Sequence, residues 1–273
     1  MNKLIIYCSG GLCNRLAAIF NGLYFAEKTF REPIINWPLE NHCEVHINDL
    51  FDLKLKSYSY SLKEIVKNTK ADFYFNNTYG IKEIQSNNYK IPLEENNSKI
   101  VIYSDCLIIN QLKNTGFVNN LQIKQTILDD IILFIKSKNI TEDTTGIHAR
   151  LTDFNNKTNK GELENLIKQY QNNVFLCSDD EEYEKYIKSN FPTVIMNKKK
   201  SYTRKYVDGP WVQNITTKTG LQGKSNTHRD SQSIIDAFKD LLILSQTNTK
   251  YGLTCSTFFQ FAKFYKKYNI LFY

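Results

Sequence analysis

Arg150 stands two residues after His148 in the run His148-Ala149-Arg150-Leu151-Thr152-Asp153. In an extended segment alternate side chains share a face, so His148 and Arg150 point the same way. A guanidinium so placed can grip two phosphate oxygens at once. Asp153 can fix that arginine or hold a hydroxyl, or it can be half of a structural ion pair at a strand end. A second group is Ser178-Asp179-Asp180. The Asp179 carboxylate suits the N1–H and N2–H₂ edge of guanine and would repel the N1 lone pair of adenine. Ser178 or Asp180 can instead cap a following helix. A third group, Cys255-Ser256-Thr257-Phe258, offers two hydroxyls at a helix start. With the free amides there they make a phosphate cradle, or simply a helix cap. The fourth is Gly10-Gly11-Leu12-Cys13-Asn14-Arg15. Its glycines let the backbone approach a ligand, and its helix amides favour an anion; it also reads as a tight strand–helix turn. It is neither the dinucleotide-binding glycine pattern nor a Walker loop.

The elements that must position these groups alternate between strand and helix. Lys3–Cys8 reads as a buried strand, followed by a helix over Arg15–Phe30 with Leu16, Ile19, Phe20 and Leu23 on one face. Pro33–Trp37 and Lys99–Tyr103 read as strands, and Leu121–Lys138 as a helix. The polar stretch Asn139–Thr145 marks a boundary, giving domains 1–140 and 141–273. The second half restarts with strand Gly146–Ala149 and helix Glu162–Tyr170. Strand Val174–Cys177, helix Glu181–Ser189 and strand Thr193–Met196 follow. After a long polar loop, Asn197–Asp230, come helix Ser231–Ser245, strand Tyr251–Cys255 and helix Phe258–Tyr268. Such alternation predicts an α/β protein with mostly parallel sheets. All four polar groups fall where a strand ends, which is where parallel sheets bind ligands.

Composition narrows the class. The chain has 273 residues, 41% of them apolar, with 17 Tyr and 17 Phe, enough to build real cores. Its net charge of +7 favours anionic partners. The one dense basic run, Lys198-Lys199-Lys200, reads as a solvated loop. The six cysteines form no CxxC pair and no zinc-spaced cluster, which predicts reduced thiols in a cytoplasmic protein. No stretch approaches the ~20 apolar residues of a membrane span, so no integral membrane segment is expected.

Taken together the four groups resemble the superfamily of α1,2-, α1,6- and protein O-fucosyltransferases, which includes the nodulation fucosyltransferase. The likeness covers about the first 30 residues and, in pieces, 146–265. Gly10–Arg15 resembles the family's GGLGNQ turn, His148, Arg150 and Asp153 its HxRRxD motif, and Ser178-Asp179-Asp180 its T/S-D-D. Ile234–Gln246 with Tyr251–Phe258 resembles its final helix, strand and phosphate turn. The resemblance implies a GT-B-like architecture: two Rossmann-like domains with a cleft between them. It implies inverting, metal-independent transfer of a sugar, first of all fucose from GDP-fucose, to a glycan hydroxyl. Arg150 would then stabilise the departing diphosphate, Ser256 and Thr257 would hold phosphate, Asp179 would read guanine, and Asn14 would face the sugar-diphosphate. Gly10, Gly11, Arg15, His148 and Phe258 complete the expected donor site. Two positions depart from the pattern. Cys13 replaces a glycine, and Leu151 replaces the second arginine, which disfavours the α1,2 and α1,6 subgroups.

The chemistry fits these residue types. Charge builds on the leaving diphosphate, and an arginine with helix amides can neutralise it without a metal. Asp129-Asp130 falls inside a helical stretch and Asp179-Asp180 has another use, so neither is expected to hold a metal; no cofactor beyond the donor is expected. A general base must take the acceptor proton. Some family members use a Glu shortly after the arginine motif, for which Glu162 is the nearest candidate; Asp153 and Glu44 are also available. Two other readings compete: the same scaffold with a different nucleotide sugar, and a nucleic-acid-binding or DNA-modifying protein that stacks bases on Tyr58–Tyr60 and Phe73–Tyr79. Those aromatics read better as core, so nucleic acid is not the expected partner.

Overall fold

The structure, a computed structural model, describes residues 2–61, 64, 73–77, 99–104, 120–152, 158–170, 173–205, 227–248, 250–254 and 256–268. The chain divides into two compact units. One comprises Met1–Glu40 and His46–Lys124, the other Asn41–Val45 and Gln125–Tyr273.

The first unit is built on a five-stranded parallel sheet. Its strands are β1 (Lys3–Tyr7), β2 (Glu32–Asn36), β4 (Lys56–Tyr58), β5 (Phe73–Asn77) and β6 (Lys99–Ser104), in the order β4-β2-β1-β6-β5. β1 is central, with Ile5 opposite Ile34 on one side and Val101 on the other. A strand flanked on both sides must be apolar throughout, and Leu4, Ile5 and Ile6 are. Helix α1 (Leu12–Lys28) lays Leu16, Ile19, Phe20 and Leu23 on this sheet, all buried. Each such side chain contributes roughly 1.5–3 kcal/mol. Gly22 permits the close approach, since a Cβ there would sit 2.4 Å from Ile6 Cγ1. The short helix α2 (Ile47–Leu50) leads into β3 (Phe51–Leu53), which pairs antiparallel with β7 (Leu121–Ile123). Leu121–Ile123 is therefore strand rather than the first turn of the expected helix, because the backbone groups of Phe51–Leu53 complete a ladder with it.

The second unit carries a parallel sheet of order β12-β8-β9, from β8 (Thr145–Ala149), β9 (Val174–Ser178) and β12 (Lys250–Tyr251). The expected strand at Thr193–Met196 survives as one parallel bridge, Phe175 to Ile195. Helices α3 (Gln125–Ser137), α4 (Lys160–Tyr170), α5 (Glu181–Asn190), α6 (Ser231–Gln246) and α7 (Thr257–Tyr268) belong here, with an antiparallel pair β10 (Arg204–Lys205) and β11 (Thr227–His228). The core joins Ile147, Ala149, Val174 and Leu176 of the sheet to Leu163 and Ile167 of α4 and Ile187 of α5. α3 lies ahead of the polar stretch 139–145 yet belongs to this unit. Its Phe134 meets Phe175 edge-on, and its Asp130 takes Lys239 of α6 at 2.5 Å. The short segment Asn41–Val45 belongs here too. Arg229 N–H donates to Asn41 O at 2.8 Å, Glu44 N–H to Arg229 O at 3.2 Å, and Glu44 Oε2 lies 2.9 Å from His228 Nε2. Among the described residues no helix is long and apolar enough to cross a membrane.

Candidate functional site

The turn after β1 is shaped by one left-handed glycine, Gly10, at φ +83°. A Cβ there would press on Asn14 Nδ2 at 3.0 Å, so Gly10 and Asn14 are fitted to each other. Gly11 has open space where a Cβ would be and forms the N-cap of α1 with extended backbone and no side-chain cap. The helix amides at this end are thus not covered by a side chain of their own cap. Cys13 lies in the first turn of α1 with ordinary helical backbone, so a cysteine where the resembled motif has glycine costs no backbone strain.

Arg15 has a different place from the donor-binding one expected. It is wholly buried. Its Nε donates to Gly10 O at 2.7 Å, Nη1 to Pro38 O at 2.6 Å and Nη2 to Glu40 Oε2 at 3.0 Å, and the guanidinium lies over the Trp37 ring at 4.9 Å. Every nitrogen of the fork is occupied by protein, so Arg15 props the turn from beneath instead of reaching a ligand.

In the second unit His148 lies on β8 and Arg150 directly follows its last residue, Ala149. The His148 ring stacks on Phe258 with centroids 4.5 Å apart and planes 19° from parallel. Arg150 Nη1 lies 3.5 Å from Ser256 Oγ, bringing together residues 106 apart in sequence. Gly252 makes this approach possible: a Cβ there would lie 3.2 Å from His148 O and 2.9 Å from the Phe259 ring. Thr257 and Phe258 begin α7, so a half-buried guanidinium, a buried hydroxyl and a helix N-terminus converge. That is the composition of an anion site. Thr158 Oγ1 donates to Arg150 O at 2.6 Å and steadies the backbone behind it.

Asp179 is committed to the chain rather than poised with open acceptors for guanine. Oδ1 accepts from Leu151 N–H at 2.7 Å and Thr152 N–H at 3.2 Å, while Oδ2 takes the Thr152 hydroxyl. It buttresses the turn that follows Arg150. Asp180 takes the capping role: its Oδ1 accepts from Tyr183 N–H at 2.8 Å. Both aspartates line a pocket of about 650 Å³, walled also by Leu151, Thr152, Tyr202 and Arg204. Of the candidate bases, Glu162 is exposed in the first turn of α4, and Glu44 pairs with His228. Asp153 lies outside the described residues, as do Cys255 and 206–226 of the long loop.

One of the three lysines read as solvated is buried. The Lys199 side chain is 5% exposed and contacts Glu184 and, at 2.9 Å, Asp240 Oδ2. Burial and the neighbouring Glu184 charge push the Asp240 carboxyl up to about 6, against the pull of Lys199. Burial alone would lower the Lys199 ammonium, but Asp240 and Glu184 outweigh it and hold it above the usual lysine range. The signal in the sequence was on α6. Asp236 and Asp240 sit amid its apolar residues Ile234, Phe238 and Leu241, and a carboxylate there requires a buried partner.

No family model matches the chain, and no curated protein does. Solved structures do. The fucosyltransferase NodZ from Bradyrhizobium superposes with a TM-score of 0.61 at 13% identity, covering 96% of this chain and 92% of that one. Arabidopsis thaliana FUT1 in complex with GDP gives 0.54 at 14% identity, over 96% and 68%. POFUT1 in complex with GDP gives 0.53 at 13% identity, over 96% and 94%. At these identities the likeness is one of fold: the chain is α/β and GT-B-like, built as these fucosyltransferase structures are.

Proposed function

We propose that this chain is a glycosyltransferase that takes a sugar from a nucleoside-diphosphate donor, with GDP-fucose as first choice, and passes it to a glycan hydroxyl. The observation that carries the reading is the convergence of Arg150, Ser256 and the N-terminus of α7 at the exit of β8. As the glycosidic bond to the donor breaks, negative charge gathers on the diphosphate. Arg150 meets that charge in place of a metal ion, and Ser256 and Thr257 hold phosphate oxygens. Attack by the acceptor hydroxyl from the opposite face inverts the anomeric carbon, the hydroxyl proton passing to a carboxylate base, for which Glu162, Asp153 and Glu44 are the candidates, as the diphosphate leaves. The adjoining pocket receives the nucleoside, with Asp179 shaping its wall. The structures of NodZ co-crystallised with GDP and soaked with GDP-fucose support this choice of donor. Leu151, in place of the family's second arginine, favours testing other nucleotide sugars alongside it.

The test is a thermal-shift panel followed by turnover. GDP at ~100 times its dissociation constant adds about 2.7 kcal/mol of stability, and ADP adds none. Transfer from GDP-fucose proceeds in excess EDTA. A shift with UDP but not GDP would remove GDP-fucose as donor. Activity lost in EDTA and restored by Mg²⁺ would remove the metal-free mechanism.

A further inference from the structure

At the pocket's lining, Lys199 belongs to a cluster of buried charge that the proposed reaction does not use. Lys199 Nζ donates to the Ser178 carbonyl and to Glu184 Oε1, and reaches Asp240 Oδ2 at 2.9 Å. Glu184 Oε1 also accepts from Ser178 N–H at 2.8 Å, so one lysine and one glutamate clamp both backbone groups of Ser178. The other oxygen, Oε2, accepts from the Tyr202 hydroxyl at 2.7 Å. Glu184 of α5 therefore holds β9 and the 199–202 loop together. Asp236 of α6 fixes the same loop from behind, its Oδ2 accepting from Lys200 N–H at 2.7 Å and Ser201 N–H at 3.2 Å.

These contacts lead directly to the pocket. Ser178 precedes Asp179, whose carboxylate sets the Leu151–Thr152 turn in the pocket wall; Tyr202 and Arg204 line the same pocket. Lys199 itself is a poor phosphate ligand. Its charge is opposed by two carboxylates, and the side chains of Lys199, Glu184 and Asp240 are only 5%, 7% and 3% exposed. Removing one partner from such a group leaves uncompensated buried charge, so its geometry is strongly held.

We propose that Lys199 and Glu184 are positioning residues for the nucleoside pocket, fixing the separation of its walls by tying the backbone at Ser178 to the 199–202 loop. The inference rests on the nucleotide-binding reading above. Two variants test it: Lys199→Met, and Tyr202→Phe, which removes one tie to Glu184 without removing a charged group and so stands in if the first does not fold. In the ligand-free protein, hydrogen exchange at the amides of Leu151, Thr152, Lys200 and Ser201 should quicken at least ~10-fold in Lys199→Met, with α4 amides unchanged. Calorimetric titration should show guanosine and GDP weakened by the same factor, about fivefold in Tyr202→Phe and more in Lys199→Met. Equal losses for the two ligands place the defect at the nucleoside walls. A loss confined to GDP would make Lys199 a direct phosphate ligand and overturn the inference, as would unchanged exchange and affinity. A wild-type protein that binds neither ligand would sink the functional reading, while the exchange data would still judge the clamp.

Discussion

Replacing Asp240 with Asn tests the buried charge cluster through its pH dependence. In the folded protein, burial and the Glu184 charge raise the Asp240 carboxyl to about 6 from an ordinary value of 3.8. The sign follows from linkage. A carboxyl whose folded value is raised contributes stability that is fully present below pH ~4 and lost as pH rises through ~6. Each pH unit in the steep part of that window is worth about 1.4 kcal/mol. Between pH 4.5 and 7.5 the wild-type should therefore lose about 2 kcal/mol that Asp240→Asn does not lose. The group is buried, so solvent screening takes little from this figure. Lys199 keeps its proton throughout the window, because it is held above the usual lysine range. Asn197 Nδ2, at 3.1 Å from Asp240 Oδ1, has an acceptor in either side chain. The assay is urea unfolding of both proteins at the two pH values, followed by circular dichroism. The difference between the proteins, not either absolute stability, is the readout. If that difference moves by less than ~0.5 kcal/mol between pH 4.5 and 7.5, Asp240 does not titrate as a buried member of the cluster and the reasoning fails.

Other outcomes follow from the site and the turn. Arg150→Ala should lower the turnover of a folded enzyme by ~10²–10³, with Arg150→Lys recovering little because an ammonium cannot make a bidentate phosphate contact; near wild-type turnover would remove the phosphate role. Arg15→Met should destabilise the first unit by about 3 kcal/mol, since the Gly10 and Pro38 carbonyls lose their donors; an unchanged melt would show that the turn does not depend on it. Gly22→Ala should cost roughly 1–3 kcal/mol by pressing on Ile6, measured by the same melt.

The fold was readable where apolar periodicity was unbroken. β1, α1, β8, β9 and α6 lie within a residue or three of where the pattern puts them, because a strand flanked on both sides and a helix packed on it leave few choices. Local reading failed where long-range pairing decided. Leu121–Ile123 has helix-compatible residues, but its partner is a strand some 70 residues earlier. The pairing of Arg150 with Ser256 was legible only as two motifs at two strand ends, and the sheet brings them together. Lys199 was hidden because three adjacent lysines look alike; what distinguishes one is the carboxylates on α5 and α6 that surround it. Asp179 and Arg15 show the converse. Each has the type a ligand site wants, but nearby backbone groups claim it first.

The excursion of Asn41–Val45 has a consequence for how the protein is made. The second unit is not encoded by one continuous stretch. A fragment beginning at residue 125 would lack His42, Cys43 and Val45, all buried, and the backbone bonds that Asn41 and Glu44 exchange with Arg229. During synthesis these five residues leave the ribosome long before Arg229, by roughly 10–40 s at ~5–20 residues per second. For that interval the apolar side chains of Cys43 and Val45 await a docking site that does not yet exist. The C-terminal half must therefore mature around a piece supplied in advance, and the two halves expressed as separate fragments cut at residue 124/125 should complement each other poorly unless residues 41–45 are free to reach their seat.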